Sequence, residues 1–554
     1  MARTVSIGAQ NFEEIISNDC FYIDKTSFIK EWWESKDKVT LITRPRRFGK
    51  TLNMNMLERF FSARFEGKGE VFEGLNIWEE EKYRKLQGTY PVVFLTFADV
   101  KQDNLDDAIK QIKSNLWELY EDNRFLLEGN ILSNIEKKEF ENIIPTMEHT
   151  TAQTAVRKLM KYLSRYYGKK AILLLDEYDT PLQEAYTGGY WKELVSFTRS
   201  MFNSMFKTNP YLERAVMTGI TRVSKESLFF DLNNLKVITM TSDKYASCFG
   251  FTEKEVFTAM DEFEMANKDE VKRWYDGFTI GNLCDIYNPW SITCFLDERK
   301  LKPYWANTSS NSLISSIIRK AGKNTKMEFE ELLQRNTIKT KIDEEIIFNQ
   351  LDNSENAIWS LLFTSGYLKT VGINGTIYEL ELTNFEVAKT FGRMVENWFG
   401  RVSSDYNDFI KALFRDDIEE MNAYMNRISL AVFSSFDAGN HPSEFAMPEK
   451  FYHGFVLGLL VELKGRYEIT SNRESGFGRY DVMLKPLDKN DNAIIIEFKV
   501  FNPQKERSLN ETVQEALRQI KEKKYEQMLL EQGITKERIQ KYGFAFEGKK
   551  VLIG

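Results

Sequence analysis

Residues 41–56 read Leu-Ile-Thr-Arg-Pro-Arg-Arg-Phe-Gly-Lys-Thr-Leu-Asn-Met-Asn-Met, and they set the fold of the first part of the chain. The apolar, β-prone residues before the loop predict a strand, and the apolar spacing after it predicts an amphipathic helix. A helix N-terminus presents free N–H groups and a partial positive charge to a phosphate. The stretch therefore predicts a phosphate-binding loop at Gly49, Lys50 and Thr51, with Lys50 on the outer phosphates and Thr51 on Mg²⁺.

The loop departs from the general phosphate-binding pattern Gly-x-x-x-x-Gly-Lys-[Ser/Thr], because Arg44 stands at the first glycine position. Gly-Lys-Thr by itself is equally compatible with an ordinary helix start that binds no ligand. The nucleotide interpretation is favoured by the strand before the loop, the helix after it and an acidic motif later in the chain.

That acidic motif is Asp176-Glu177, which follows the apolar run Ala-Ile-Leu-Leu-Leu at 171–175. A buried parallel strand places its C-terminal carboxylates at the sheet edge, beside a phosphate-binding loop. We expect Asp176 to hold Mg²⁺ and Glu177 to orient and polarise the attacking water. The alternative is a core strand that ends in two solvated acids.

Strand patterns at 90–97, 214–220 and 236–241 alternate with helical patterns near 104–122 and 150–167. This alternation predicts a parallel sheet with helices on both faces. The expected fold class is therefore α/β, with the parallel sheet of a P-loop NTPase.

Two polar residues near the end of the strand pattern at 214–220 are further candidates. Thr218 stands where P-loop ATPases with a strand inserted beside the acidic motif carry a residue that senses the γ-phosphate. Arg222 is a candidate for contact with phosphate or with a neighbouring subunit, and a surface arginine is the alternative.

Length and composition set the wider limits. The 554 residues exceed what one core holds, so roughly two to four domains are expected. The net charge of -7 does not mark a nucleic-acid binder, but a local basic surface is compatible with it. Four scattered cysteines argue against a structural zinc site and suit a reducing compartment. No signal-peptide core and no apolar run of about 18–20 residues is seen, so we expect a cytoplasmic protein without a membrane span.

Several motifs together resemble the bacterial AAA-ATPase-like family, which replaces the first glycine in the same way, with an Arg-Pro-Arg-Arg-Phe-Gly-Lys-[Ser/Thr] loop. The N-terminal motifs that carry the resemblance are Tyr22-Ile-Asp-Lys-Thr26, the loop at 44–51, Asp176-Glu-Tyr-Asp179 and Thr218-Gly-Ile-Thr-Arg222. The similarity extends along most of the chain through Trp274-Tyr-Asp-Gly-Phe278, Tyr287-Asn-Pro-Trp-Ser291 and Ser365-Gly-Tyr-Leu368. The resemblance implies that ATP is the nucleotide and that its contacts include Arg47, Phe48, Gly49, Lys50, Thr51, Asp176, Thr218 and Arg222.

The middle of the chain reads as mostly helical. Residues 245–300 fit a helical lid packed on the nucleotide domain, and an alternating pattern at 377–382 predicts a small hairpin, which we compare with the wing of a winged helix. A structural connector is the default interpretation, since no chemistry is evident there. The turn-rich residues 437–448 mark a boundary. We therefore expect domains at 1–244, 245–436 and 437–554.

A second set of candidate residues lies in the C-terminal region, where the pattern is helix, β-hairpin and helix. Glu497 and Lys499 share one face of a predicted strand, and counting back through the turn places Asp481 opposite Phe498. Two converging carboxylates are costly unless a cation joins them, and Mg²⁺ is the natural one. Asp481 and Glu497 would then be metal ligands, and Lys499 would orient the water or stabilise the phosphate.

This arrangement resembles the PD-(D/E)XK nuclease superfamily and implies an α/β restriction-endonuclease-like domain. Tyr480 stands where the superfamily pattern has proline. Gln519 matches a glutamine often placed near the active site in that superfamily, and Glu462 and Glu474 are candidate auxiliary acids. The alternative is a strand-edge ion pair between Glu497 and Lys499.

Two functional hypotheses follow. In the first, an ATP·Mg²⁺-hydrolysing module is fused to an Mg²⁺-dependent nuclease, in which Asp481, Glu497 and Lys499 cleave DNA in preference to RNA. In the second, the chain is a nucleotide-gated binding or assembly switch with an inactive nuclease fold. Nucleic acid is the expected partner in the first case, and a homo-oligomer is compatible with both.

Overall fold

The computed structural model describes most of the chain, and the chain divides into two units. The first unit comprises Met1–Ile317 with Lys339–Glu386, and the second comprises Ile318–Ile338 with Val387–Gly554. The described residues are 3–223, 228–229, 232–305, 314, 317–318, 323–333, 335–346, 355–398, 406–432, 456–457, 460, 463, 466–471, 474–475, 478–479, 481–488, 491–547 and 550–554.

A five-stranded parallel sheet lies at the centre of the first unit. Every residue of its first and third strands in chain order is buried, as expected for parallel strands covered on both faces. In spatial order the strands are β2 (Val92–Thr96), β3 (Ala171–Asp176), β4 (Leu212–Gly219), β1 (Val39–Thr43) and β6 (Leu235–Ile238). Because β4 lies between β3 and β1, the carboxyl ends of all three strands meet at one edge, and the expected α/β class is confirmed.

Helices connect these strands where the apolar spacing predicted them. The patterns near 104–122 and 150–167 form the helices Leu105–Glu121 and His149–Tyr167, and capping boxes at Ser133 and Thr252 begin the helices Asn134–Glu141 and Glu253–Glu262. In chain order the helices are α1 (Phe12–Ser17), α2 (Ser27–Ser35), α3 (Lys50–Phe61), α4 (Glu81–Arg84), α5 (Leu105–Glu121), α6 (Asn134–Glu141), α7 (His149–Tyr167), α8 (Thr180–Gly188), α9 (Trp191–Phe206), α10 (Glu253–Glu262), α11 (Lys268–Tyr275) and α12 (Pro289–Glu298).

The middle of the chain contains more strand than its sequence predicted. Three short antiparallel strands interrupt the region expected to be mostly helical, in the spatial order β7 (Phe251–Thr252), β9 (Leu283–Tyr287) and β8 (Phe278–Ile280). The predicted hairpin is present, and it forms a sheet in the order β10 (Ile338–Lys341), β13 (Ile377–Leu382) and β12 (Leu368–Asn374). A two-stranded ribbon pairs β5 (Arg222–Val223) with β11 (Glu345–Ile346).

The second unit contains a mixed five-stranded sheet. Its spatial order is β14 (Tyr467–Ser471), β17 (Val482–Pro486), β18 (Ala493–Val500), β19 (Ile539–Glu547) and β20 (Lys550–Ile553), with only β18 and β19 parallel among the adjacent pairs of this sheet. A separate pair of short antiparallel strands is formed by β15 (Glu474–Ser475) and β16 (Gly478–Arg479). The remaining α-helices within the described residues are α13 (Lys323–Leu333), α14 (Glu355–Thr364), α15 (Phe385–Trp398), α16 (Tyr406–Arg415), α17 (Ile418–Val432), α18 (Leu509–Glu522) and α19 (Gln527–Glu531).

Two asparagines of α17 pair with the edge strand of this second sheet. The side-chain amide of Asn422 exchanges two hydrogen bonds with the backbone of Ile553, and that of Asn426 does the same with Val551. A strand edge paired in this way cannot template the addition of another strand. Along the described part of the chain, none of the helices has the length and apolar character needed to cross a membrane.

Candidate nucleotide and metal sites

The predicted phosphate-binding loop joins β1 to α3, as its sequence indicated. Gly49 has φ +78° and precedes the first residue of α3, so a glycine is required at this helix start by backbone conformation. Arg47 also has a positive φ, +63°, which is strained for a residue with a Cβ atom. The loop therefore enters α3 through two left-handed residues, one of which is not glycine.

Lys50 lies buried across its own loop. Its Nζ donates hydrogen bonds to the carbonyl oxygens of Arg44 and Pro45, at 3.0 and 2.9 Å. Burial lowers the pKa of the Lys50 ammonium. The ammonium is thus held at the loop that the sequence assigned to phosphate.

Asp176, Thr51 and Thr218 meet at the carboxyl edge of the sheet. Asp176 is fully buried, and its two carboxylate oxygens accept hydrogen bonds from the hydroxyls of Thr51, at 2.7 Å, and of Thr218. Burial raises the pKa of the Asp176 carboxyl, and the two hydroxyls oppose that effect. The structure therefore brings together three of the predicted site residues, which come from β3, α3 and β4.

Two acidic residues follow Asp176, and the second of them, Asp179, stabilises the turn after β4. Glu177 has φ +50° and accepts a hydrogen bond from the Thr180 hydroxyl at 3.0 Å. The buried Asp179 carboxylate accepts hydrogen bonds from the backbone N–H groups of Ile220 and Thr221, at 3.0 and 2.8 Å. Arg222 follows this turn on β5, half-buried and paired in register with Glu345.

Arg44 occupies the position of the missing glycine as a fully buried side chain. Its guanidinium donates hydrogen bonds to the carbonyl oxygens of Thr43 and Thr239, at 2.9 and 2.7 Å, and lies 5.7 Å from the ring centroid of Phe249. Burial lowers the pKa of Arg44 to about 10, so the group stays charged near neutral pH. The arginine thus ties the loop to the chain segment after β6.

The middle region also contacts the loop, through residues that no local sequence pattern had linked to it. Phe48 is buried against Phe278 with ring centroids 4.9 Å apart, and the Arg47 guanidinium lies 4.2 Å from the ring centroid of Trp290. The side-chain amide of Asn288 donates a hydrogen bond to the carbonyl oxygen of Arg46 at 3.1 Å. Phe278 belongs to the motif at 274–278, and Asn288 and Trp290 belong to the motif at 287–291. These motifs could be recognised in the sequence, but no local pattern linked them to the loop.

In the second unit, Asp481 and Glu497 lie on adjacent strands, with a register one residue different from the expected one. Val482 pairs with Ile496, so Asp481 continues the ladder toward Glu497 and not toward Phe498. Opposite residues of an antiparallel pair share one face, and this register puts both carboxylates on the same side. Asp481 also accepts a hydrogen bond from the backbone N–H of Phe498 at 2.8 Å.

Glu497 is the most constrained group of this second site. Its Oε1 accepts a hydrogen bond from the Gln519 side chain and lies 3.5 Å from the Lys499 ammonium. Its Oε2 is buried and has no hydrogen-bond partner within the described part of the chain. Burial, with the Asp481 carboxylate as the next cause, raises the pKa of Glu497 to about 8.

These residues fit a divalent cation. A buried carboxylate oxygen to which no described group donates, beside a second carboxylate, is the kind of hard oxygen ligand that a divalent cation takes. Lys499, on the same strand, is about one quarter exposed, with 28% of its side-chain surface accessible. Glu462, Tyr480 and the side chain of Glu474 lie outside the described residues.

Comparison with known proteins identifies both regions. Residues 6–229 match the model of the AAA-ATPase-like family, which is described as "Predicted AAA-ATPase". Residues 447–554 match the model of the PD-(D/E)XK nuclease superfamily. A relative from Azotobacter chroococcum mcd 1, described as "Uncharacterized protein in vnfD 5'region", is 25% identical over 396 residues, which are 70% of this chain and 68% of that protein. Both predicted resemblances are thereby confirmed for these ranges.

Proposed function

We propose that this chain, which joins an AAA-ATPase-like region to a PD-(D/E)XK nuclease superfamily region, hydrolyses ATP in the first unit and cleaves DNA in the second. The observation that carries the ATPase is the meeting of Thr51, Asp176 and Thr218 at the edge where the loop enters α3. The observation that carries the nuclease is the buried Oε2 of Glu497 beside Asp481, an oxygen with no hydrogen-bond partner among the described residues.

In the first unit, the chain supplies charge and hydrogen-bond donors to a triphosphate. Lys50 exchanges its two loop carbonyls for phosphate oxygens, and the first turn of α3 adds backbone N–H groups. Thr51 and Asp176 would hold Mg²⁺, which neutralises charge on the phosphates when bound. Glu177, one residue after the buried strand, orients the attacking water, and Thr218 and Arg222 contact the terminal phosphate.

In the second unit, Asp481 and Glu497 would hold Mg²⁺, which activates water and stabilises charge on a phosphodiester when bound. Gln519 holds Glu497 in place through its amide, and Lys499 aligns the attacking water or the phosphate. The substrate is DNA in preference to RNA. We also propose the functional boundaries 1–244, 245–436 and 437–554, and a cytoplasmic setting.

One observation favours a second candidate function, a nucleotide-gated switch with an inactive nuclease fold. Lys499 lies 3.5 Å from Glu497, which is the geometry of a strand-edge ion pair. If that pair only stabilises the sheet, the C-terminal region holds nucleic acid or a protein partner without cutting it.

Two substitutions in the full chain test the proposal. Lys50→Ala removes the phosphate-binding ammonium and should abolish ATP turnover, whereas Lys170→Ala, an exposed lysine before β3, should not. Lys499→Ala should abolish DNA cleavage while ATP binding persists. Cleavage that persists in Lys499→Ala, or ATP turnover that persists in Lys50→Ala, overturns the corresponding half of the proposal.

A further inference from the structure

The phosphate-binding loop rests against the N-terminus of α12. Asn288 is fully buried and performs two tasks with one side chain. Its Oδ1 accepts hydrogen bonds from the backbone N–H groups of Trp290 and Ser291, at 2.9 and 3.4 Å, and so caps the helix. Its Nδ2 donates to the carbonyl oxygen of Arg46 at 3.1 Å.

This hydrogen bond fixes the direction of a backbone donor in the loop. In a trans peptide, the carbonyl of one residue and the N–H of the next point to opposite sides of the chain. Because Asn288 holds the carbonyl of Arg46, the N–H of Arg47 is directed away from α12. Phosphate-binding loops work by aiming such N–H groups at phosphate oxygens.

The next residue is stabilised in a strained conformation. Arg47 has φ +63°, and its guanidinium lies over the ring of Trp290, 4.2 Å from the centroid. A left-handed conformation costs free energy in a residue with a Cβ atom, and stacking on an aromatic ring offsets part of that cost. Asn288 and Trp290 therefore act on the same two loop residues, Arg46 and Arg47.

A buried carboxylate stabilises the start of α12, which carries Asn288 and Trp290. Glu386 is fully buried and accepts hydrogen bonds from the Ser291 hydroxyl at 2.8 Å and from the backbone N–H groups of Tyr304 and Trp305, both at 2.6 Å. The Trp305 ring in turn packs on Phe278, with centroids 5.5 Å apart. The Glu386 carboxylate thus fixes both the start of α12 and the backbone of Trp305. Trp305 packs on Phe278, and Phe278 packs on Phe48 of the loop.

The other side of the loop is closed by a glycine. Gly366 has φ +85°, and a Cβ atom there would lie 2.7 Å from Cγ of Pro45. Only glycine allows this close approach. The loop is therefore enclosed by three motifs, at 274–278, 287–291 and 365–368, that the sequence left without a role.

We propose that Asn288 and Trp290 are positioning residues for the nucleotide site, which hold the Arg46–Arg47 peptide so that the Arg47 N–H is a donor to phosphate. They replace the conformational role that the missing first glycine has in other loops. The inference rests on the proposed ATP binding, and it names the α12 N-terminus as the part of the chain that sets ATP affinity.

The test is Asn288→Ser in the full chain. Serine caps a helix about as well as asparagine, but its side chain is one atom shorter and carries no amide to reach Arg46. The control is Asn104→Ser, which makes the same change at the exposed cap of α5. We expect the dissociation constant for ATP·Mg²⁺ to rise about tenfold in Asn288→Ser, the effect of one lost buried hydrogen bond, and to stay at the wild-type value in Asn104→Ser. Weaker ATP binding by an Asn288→Ser protein whose circular dichroism spectrum matches that of the wild type separates positioning from folding.

A second pair of variants decides the matter if Asn288→Ser does not fold. Trp290→Phe keeps a ring beneath Arg47, and Trp290→Leu does not. We expect weaker ATP binding in the leucine variant and recovery in the phenylalanine variant. Wild-type affinity in every variant, in a protein that binds ATP and loses it in Lys50→Ala, overturns this inference alone. A wild-type protein that does not bind ATP overturns the proposed function, and this inference with it.

Discussion

The side-chain amide of Asn288 donates a hydrogen bond to the carbonyl oxygen of Arg46, a residue 242 positions earlier in the chain. The predicted phosphate-binding loop is therefore not a self-contained turn between β1 and α3. Arg44 anchors the loop to the segment after β6, and Asn288 anchors it to α12. A loop built in this way can dispense with its first glycine, because tertiary contacts fix its backbone.

Restoring the missing glycine should harm the protein. In Arg44→Gly, the carbonyl oxygens of Thr43 and Thr239 lose their buried donors, and the space beside Phe249 becomes a cavity. We expect the first unit to lose at least about 3 kcal/mol in free energy of unfolding, which is the lower end for two hydrogen bonds from a charged group, and the cavity adds to this loss. The urea midpoint of the corresponding transition measures this loss. An exposed arginine changed to alanine, Arg84→Ala, is the control, and an unchanged midpoint in Arg44→Gly would contradict the structural role.

The parts of the site that the sequence predicted are those encoded by local pattern. Asp176 and Thr51 were predicted to meet because both follow buried parallel strands, and carboxyl ends of such strands share an edge. Glu497 and Lys499 were placed on one face by the period of two along a strand. Each prediction needed only a few neighbouring residues.

The parts that the sequence did not predict depend on contacts between distant segments. No local pattern links Asn288 or Trp290 to a loop more than 200 residues away, and the burial of Arg44 appears only when the sheet is assembled. The strands β7 and β8, of two and three residues, are too short for their period to be visible. The predicted partner of Asp481 was wrong by one residue, because the sequence alone does not fix how many residues form the turn after β17.

Glu177→Gln should separate ATP binding from ATP hydrolysis. The amide has nearly the shape of the carboxylate but is a far weaker base, so it cannot polarise the attacking water. We expect kcat to fall about 100-fold to 1000-fold while the dissociation constant for ATP·Mg²⁺ changes by no more than about twofold. The control is Glu193→Gln, an exposed glutamate on α9, which should hydrolyse ATP normally. Turnover at the wild-type rate in Glu177→Gln would show that another group handles the water.

Metal binding in the second unit should depend on pH. The pKa of Glu497 is raised to about 8, so in the metal-free protein this carboxyl is mostly protonated at neutral pH. A divalent cation must displace that proton, so affinity should rise with pH by about tenfold per unit below pH 8 and level off above it. Calorimetric titration with Mg²⁺ or Mn²⁺ between about pH 6.5 and 8.5 measures the slope.

The proposed nucleotide site would offer a second place for a metal, so the pH dependence is measured as the difference between wild type and Glu497→Gln. Glu515→Gln, a partly exposed glutamate paired with Arg518 on α18, should keep the wild-type pH dependence. A metal affinity that does not change with pH would contradict the assignment of Glu497 as the protonated ligand.

The most direct test of the two-module account is cleavage of plasmid and single-stranded DNA with Mg²⁺, with and without ATP, by the wild type beside Glu497→Ala. We expect cleavage by the wild type and none by the variant, because the variant lacks one of the two carboxylates proposed to hold the metal. A difference in the wild-type rate with ATP would show that the two modules are coupled. Absence of cleavage under every condition, or cleavage that survives Glu497→Ala, would contradict the nuclease half of the account.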